Sequence, residues 1–369
     1  MKRPTIFFLF HFLFPSLVLA EGQWQGYVYP TIKGEGREKV SQFFLTNTGG
    51  TGGGFGRGDP HYALLDVSFW DDKIGWACGY GGVFRTEDGG LNWRRVKPPG
   101  GWYHIRMVGK EEVWLLEGEH PGGWGKAKLW HTVDNGATWE EVLPGKIAHY
   151  YDLYAEFNQV WVICGSFPSY HSDDGGKSWV ENPWGNQLFS AVSIAIPGDV
   201  PTKQGFVVYV LGSVREGNKE RWKLIKSEDG GKSWKEIALP KDLPGPYWWR
   251  CPMCFPTSEM GWIGFPEGRI IFTKDGGESW EFRDLPTNQL ITSLWFDQFG
   301  RGFASVENKD IYHLKDTLYE TRDGGKSWRV VLGGDKTINA ICALGPGYVW
   351  AVGDIPGFVP NDIVAILRR

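Results

Sequence analysis

The tightest grouping of reactive side chains in this chain is Cys251-Pro252-Met253-Cys254. Two cysteines with two residues between them suit thiol–disulfide exchange or a metal. The exchange motif needs a helix behind it, and no helical pattern follows here. No histidine follows Cys254, so covalent haem attachment is not indicated. In a regular strand, residues three apart face opposite sides with Cα atoms about 10 Å apart, whereas a disulfide needs about 7 Å or less. Pro252 can break such a strand, which leaves two readings open: a local Cys251–Cys254 disulfide, or two separate thiols. Cys78, Cys164 and Cys342 stand at strand positions, and Cys78 and Cys164 read as small apolar side chains. His104, His120, His149 and His171 are solvated or locally bonded by default, and neither a metal site nor a cofactor is expected.

Carboxylates are more orderly. The phrase Ser/Thr-x-Asp-x-Gly-x-x-Trp occurs six times, with its aspartates at Asp88, Asp134, Asp174, Asp229, Asp275 and Asp323. It describes a β-hairpin turn. The carboxylate accepts backbone N–H groups across the reversal, glycine supplies the positive φ, and tryptophan buries its ring at the start of the next strand. Because all six copies use the aspartate alike, these residues read as scaffold and not as catalysts. A glycosidase would need two carboxylates about 5–10 Å apart, which residues distant in sequence can supply.

The elements around each turn repeat as well. Leu65–Phe69 alternates as a strand, Ile74–Gly79 forms a second, Val83-Phe84-Arg85 a third, and Trp93–Val96 leaves the turn as a fourth. Four short strands per unit, jointed by Gly and Pro, make the blade of a β-propeller. The turn aspartates are spaced 40 to 55 residues apart, which fits about seven units into the chain. The expected fold is therefore all-β, a seven-bladed β-propeller. In its last blade Ile338–Cys342, Tyr348–Gly353 and Asp362–Leu367 supply three strands, and the N-terminal strand Trp24–Tyr29 completes it and closes the ring.

At the N-terminus, Lys2 and Arg3 precede an apolar run from Ile6 to Ala20 that ends in small residues. Residues 1–20 therefore read as a secretory signal peptide, and residues 21–369 as one propeller domain. No later stretch is long and apolar enough for a membrane helix. A Gly-rich loop is expected at about residues 31–60. Its run Gly49–Gly58 lacks the Gly-Lys-Ser/Thr ending of a phosphate-binding loop. With 52 glycines and 21 tryptophans in 369 residues, disorder is excluded and a helical bundle is argued against. Net charge is −4, and −6 without Lys2 and Arg3, which speaks against a nucleic-acid partner.

The six turns resemble the Asp-box, or bacterial neuraminidase repeat. The longer phrase, Phe69 followed by Gly75-Trp76-Ala77-Cys78-Gly79 and Thr86-x-Asp88-Gly89-Gly90-x-x-Trp93, is similar to the repeat of the photosystem II stability/assembly factor family. That resemblance implies a non-catalytic, exported propeller that holds a protein partner, such as a membrane-complex subunit, during assembly. Its location would be periplasmic or secreted, or the thylakoid lumen in a photosynthetic host. The alternative from the same repeat is a glycan-binding or glycoside-hydrolysing propeller. A sialidase would show an aromatic-Arg-aliphatic-Pro motif, and Phe84-Arg85-Thr86 and Phe282-Arg283-Asp284 lack its last two residues.

Propellers bind mostly on the face where the chain enters each innermost strand. Those entries are aromatic here: Trp102-Tyr103-His104, His149-Tyr150-Tyr151 and Tyr247-Trp248-Trp249. Asp66, Arg106, Asp152, Arg250 and Asn339 sit on or near the same strands. Tyr103, Arg106, Tyr150, Asp152, Trp248, Trp249 and Arg250 are the candidate partner-binding residues. The competing reading is that the rings plug the gaps between blades.

Overall fold

The computed structural model describes strands at residues 31–33 and 39–40 and most of residues 64–368. The described set excludes 80–81, 91, 98–100, 119–125, 149, 166–167, 199–205, 218, 247–250, 308–317, 333–336, 346–347 and 355–361. All regular structure within it is β-strand. Each blade is an antiparallel meander in which every strand pairs with the next. The first blade holds Leu64–Phe69, Gly75–Gly79, Gly82–Thr86 and Asn92–Lys97, in that spatial order. Five more four-stranded sheets follow, beginning at Trp102, Tyr150, Ser190, Met253 and Leu290. The last sheet has three strands, Thr337–Gly345, Tyr348–Asp354 and Asp362–Arg368.

The expectation of seven blades closed by an N-terminal strand is corrected. There are six complete blades, and the last sheet remains three-stranded among the described residues. Trp24–Tyr29 lies outside the described residues, as do residues 1–20 and Gly49–Gly58. The first described strand, Thr31–Lys33, joins the first blade instead. It pairs in parallel with Asn92 and Trp93 on the outer strand of the first blade. That outer edge offers unpaired N–H and C=O groups, and a short strand is a direct way to cover them.

The core lies between sheets. Trp76, Cys78 and Val83 of the first blade pack on Trp102, Ile105, Val113 and Leu115 of the second. Leu64, Phe69 and Phe84 of the first pack on Ala340, Trp350 and Val352 of the last sheet, which thereby closes the ring. In the turns, the initial Ser/Thr hydroxyl donates to the aspartate and accepts the second-glycine N–H, as in Thr86 Oγ1 to Asp88 (2.9 Å) and Gly90 N to Thr86 Oγ1 (2.9 Å). Both turn glycines there have positive φ, 74° and 91°, which side chains rarely adopt. A turn also seats the neighbouring blade. A Cβ on Gly136 or Gly176 would strike the second-strand tryptophan of the preceding blade, Trp76 or Trp114.

Candidate functional site

The inner strands of the six blades and of the three-stranded sheet surround a central cavity of about 370 Å³. Six of these strands carry a bulge near their start, at Leu64/Asp66, Trp102/His104, Tyr150/Asp152, Ala191/Ser193, Ile291/Ser293 and Ile338/Ala340. A bulge re-aims the side chain beside it. Here the residue in or just after the bulge is often polar, and it links its strand to the next one around the ring. One Asp66 carboxylate oxygen accepts Val67 N (2.9 Å), and the other accepts Ile105 N of the second blade (3.2 Å). Asp152 does the same with Leu153 N (2.9 Å) and Ile194 N of the fourth blade (3.4 Å). Ser293 accepts Ile341 N (3.2 Å), Thr292 donates to Ile338 O (2.7 Å), and Asn339 donates to Leu64 O (2.8 Å).

Arg106 is the charged centre of this belt. Its Nη1 donates to Asp66 Oδ2 at 2.6 Å and to Ile105 O at 2.7 Å, and its Nη2 lies 3.9 Å from Asp152. Burial works against the guanidinium charge, but Asp66 and Asp152 outweigh it and raise the pKa above the ordinary arginine value. The Asp66 side chain is only 6% exposed, whereas Arg106 keeps 29% of its side chain accessible. His104 Nδ1 adds a contact 3.3 Å from Asp66. The arrangement offers one accessible cationic fork between two carboxylates, suited to hydrogen-bonding a peptide group or a polar side chain. Asp66 is a poor general acid or base, because both of its oxygens are already engaged in structure.

The other sequence candidates fall in different places. Tyr103 and Tyr150 are buried against each other between the second and third blades, with ring centroids 5.2 Å apart. Trp248, Trp249 and Arg250 lie outside the described residues, as do His120 and His149. Cys251 and Cys254 are unbonded thiols. Cys251 is buried in the core between the fourth and fifth blades. Cys254 lines the cavity, and its Sγ accepts Phe296 N at 3.2 Å. Burial pushes the Cys254 thiol up to about 12, and that of Cys342, also at the cavity, up to about 11. Gly264 N donates to Pro252 O, so pairing runs on past Pro252. Buried His171 is held by Gln159 (2.8 Å), and burial lowers its pKa to about 4. Among the described residues no group of three or more His, Cys, Asp or Glu could hold a metal ion.

Ser193, Thr292 and Ser293 were not singled out from the sequence. The available signal is a small polar residue before an aliphatic one at the same point of successive inner strands: Asp66-Val67, Asp152-Leu153, Ser193-Ile194 and Ser293-Leu294.

No family model matches the chain. Over 235 residues it is 24% identical to the photosystem II assembly lipoprotein Ycf48 of Synechococcus sp., a match covering 60% of this chain and 62% of that protein. Over 339 residues it is 23% identical to the chloroplastic photosystem II stability/assembly factor HCF136 of Arabidopsis thaliana, covering 84% of this chain and 76% of that one. The chain is similar in sequence to photosystem II assembly factors. Its match spans less than two thirds of the Ycf48 lipoprotein. Among solved structures, Ycf48 bound to D1 peptide superposes with a TM-score of 0.57 at 17% identity, covering 84% of this chain and 93% of that one. A GH74 xyloglucanase from Xanthomonas campestris gives 0.59 at 15% identity, covering 80% and 52%. At such identities these two superpositions establish the propeller fold alone.

Proposed function

We propose that this chain is an exported, non-catalytic propeller that holds a protein segment of a membrane complex during assembly. The observation that carries this reading is the sequence similarity to two photosystem II assembly factors, one of them matched along 84% of the chain. One structure of Ycf48 has a D1 peptide bound, so a propeller of this kind accommodates a peptide partner. Export rests on the basic residues and apolar run of residues 1–20, with residues 21–369 as the propeller that follows, and the turns are read as Asp-box repeats. Arg106 and Asp152, at the cavity, are the proposed partner contacts, and Trp248, Trp249 and Arg250 are proposed with them on the sequence alone. Tyr103 and Tyr150 set the spacing of the second and third blades beneath it.

Affinity capture from the native cell envelope tests the proposal, with a polysaccharide column as the parallel arm. Retention of one membrane-complex subunit by the intact chain, lost on substitution of Arg106, supports it. Retention or cleavage of polysaccharide, with no protein retained, supports the glycan reading and rejects the assembly role.

A further inference from the structure

We propose that the indoles of Trp102, Trp130 and Trp139, with the Glu117 carboxylate, form a binding site for a quaternary ammonium group, which Lys97 of the first blade occupies and shields. Lys97 Nζ lies 5.1 Å from the ring centroid of Trp102, 4.3 Å from that of Trp130 and 4.9 Å from that of Trp139. A cation within about 6 Å of an aromatic face is attracted by its quadrupole, and several rings around one cation are the usual means of recognising choline and methylated lysine. Glu117 completes the set by accepting the Trp130 indole N–H at 2.8 Å.

The placement of the ammonium itself is telling. A lysine that merely covers an apolar groove lays its methylenes on the rings and keeps its head in water. Here the head is among three rings. That position is costly for a primary ammonium, whose N–H groups are strongly hydrated. Burial accordingly lowers the Lys97 pKa below the ordinary lysine value, with Glu117 opposing the shift. A quaternary ammonium has no N–H groups to desolvate and fills the same space with methyl groups. It is the better match to the cage.

The site is also reachable. Lys97 ends the strand Asn92–Lys97 and is half-buried, as are Trp130 and Trp139. Its flexible stem can swing out and uncover Trp130 and Trp139, with Trp102, which is only 5% exposed, as the floor of the site. Trp102 opens the inner strand of the second blade, Trp130 lies on its third strand, and Trp139 anchors its turn, so all three rings belong to one blade. Free choline, a phosphatidylcholine headgroup and a trimethyl-lysine side chain share the required chemistry. This site is separate from the central cavity, and it stands or falls independently of the assembly role.

Tryptophan fluorescence titration of the full chain with choline chloride, against sodium chloride at matched ionic strength, tests the proposal. Lys97→Ser and Lys97→Gln remove the resident cation at a half-buried strand end, and a thermal transition like that of the wild type shows that each is folded. Both variants are expected to show saturable quenching, about tenfold tighter than the wild type, because the lysine among all three rings is gone and only Lys128, 5.6 Å from the Trp130 ring, remains nearby. Trp130→Leu in either background should abolish the response. Phosphatidylcholine vesicles and a trimethyl-lysine peptide, run in the same variants, identify the headgroup or the side chain as the source. No saturable response to choline, vesicles or peptide in the folded variants overturns the proposal, as does a choline response unchanged by Trp130→Leu.

Discussion

The Trp350 indole N–H donates to the carbonyl of Gly89 at 2.9 Å, joining two residues 261 positions apart. The same indole stacks face to face on Phe69 at 3.8 Å. Gly89 belongs to the aspartate turn of the first blade, and Trp350 to the middle strand of the three-stranded sheet. Trp262 repeats the relation with Gly324 of the sixth-blade turn (3.1 Å), and Tyr209 with Gly276 of the fifth (3.2 Å). The turn of one blade is thus the socket for an aromatic ring of the sheet before it. The last sheet lacks such a turn among its described residues, yet it still supplies the ring that fills the socket of the first blade.

This relation makes ring closure measurable. Trp350→Phe should keep the stack on Phe69 and lose the hydrogen bond, costing about 1 kcal/mol in urea unfolding. Trp350→Ala removes a fully buried ring and should cost about 3–5 kcal/mol. Equal, small losses for both would show that Trp350 does not hold the first and last sheets together.

The aspartate turns should behave as scaffold. Asp229 accepts Ser233 N at 2.9 Å, Lys232 N at 3.0 Å and the Ser227 hydroxyl at 2.7 Å. Asp229→Ala should cost about 1–3 kcal/mol through these lost bonds, with partner capture by the folded fraction unchanged. Selective loss of capture at unaltered stability would assign that turn to the binding surface.

Acid should destabilise the ring in two steps. The His171 pKa is lowered by burial from 6.5 to about 4, so between these values the unfolded chain binds a proton that the folded chain refuses. Stability therefore falls as pH drops through that window, and His171→Gln should flatten the slope there. Below it, hydroxyl and backbone hydrogen bonds hold Asp134, Asp229 and Asp275 down to about 2. Their contribution is complete above the ordinary carboxylate range and is lost as pH falls towards 2. Urea midpoints measured from pH 7 to pH 2 check both steps.

Arg106 links stability to the proposed binding role. Arg106→Met leaves Asp66 buried without its countercharge and should cost about 3–5 kcal/mol. Adding Asp66→Asn should recover part of that loss, because the stranded charge is removed. Partner capture should stay low in both proteins. Recovery of capture together with stability would show that Arg106 serves only the fold.

The repeat, the four-stranded meander and the location of the turns were legible because each is written in local residue types: glycine at positive φ, aspartate across the reversal, tryptophan at the exit. Ring closure was not. The pairing of Thr31–Lys33 with Asn92 and Trp93 depends on which free edge lies nearest, and spacing does not encode that. At the site, Arg106 and Asp152 were visible as polar residues at strand entries. Burial of Tyr103 and Tyr150 was not, since an aromatic ring at a blade entry fits the gap between blades as well as a partner. The carboxylate staple at Asp66 arises from a one-residue bulge, and the alternation of strand residues gives no sign of it.

In the proposed function, the polar belt around the central cavity receives a protein segment. Site-specific photo-crosslinking tests it most directly, with a photoreactive aromatic residue replacing the cavity-lining Trp295 in the native host. One crosslinked product is expected, a subunit of a membrane complex, absent when Arg106 is also substituted. Crosslinks spread over unrelated proteins, or a single product that persists without Arg106, would contradict it.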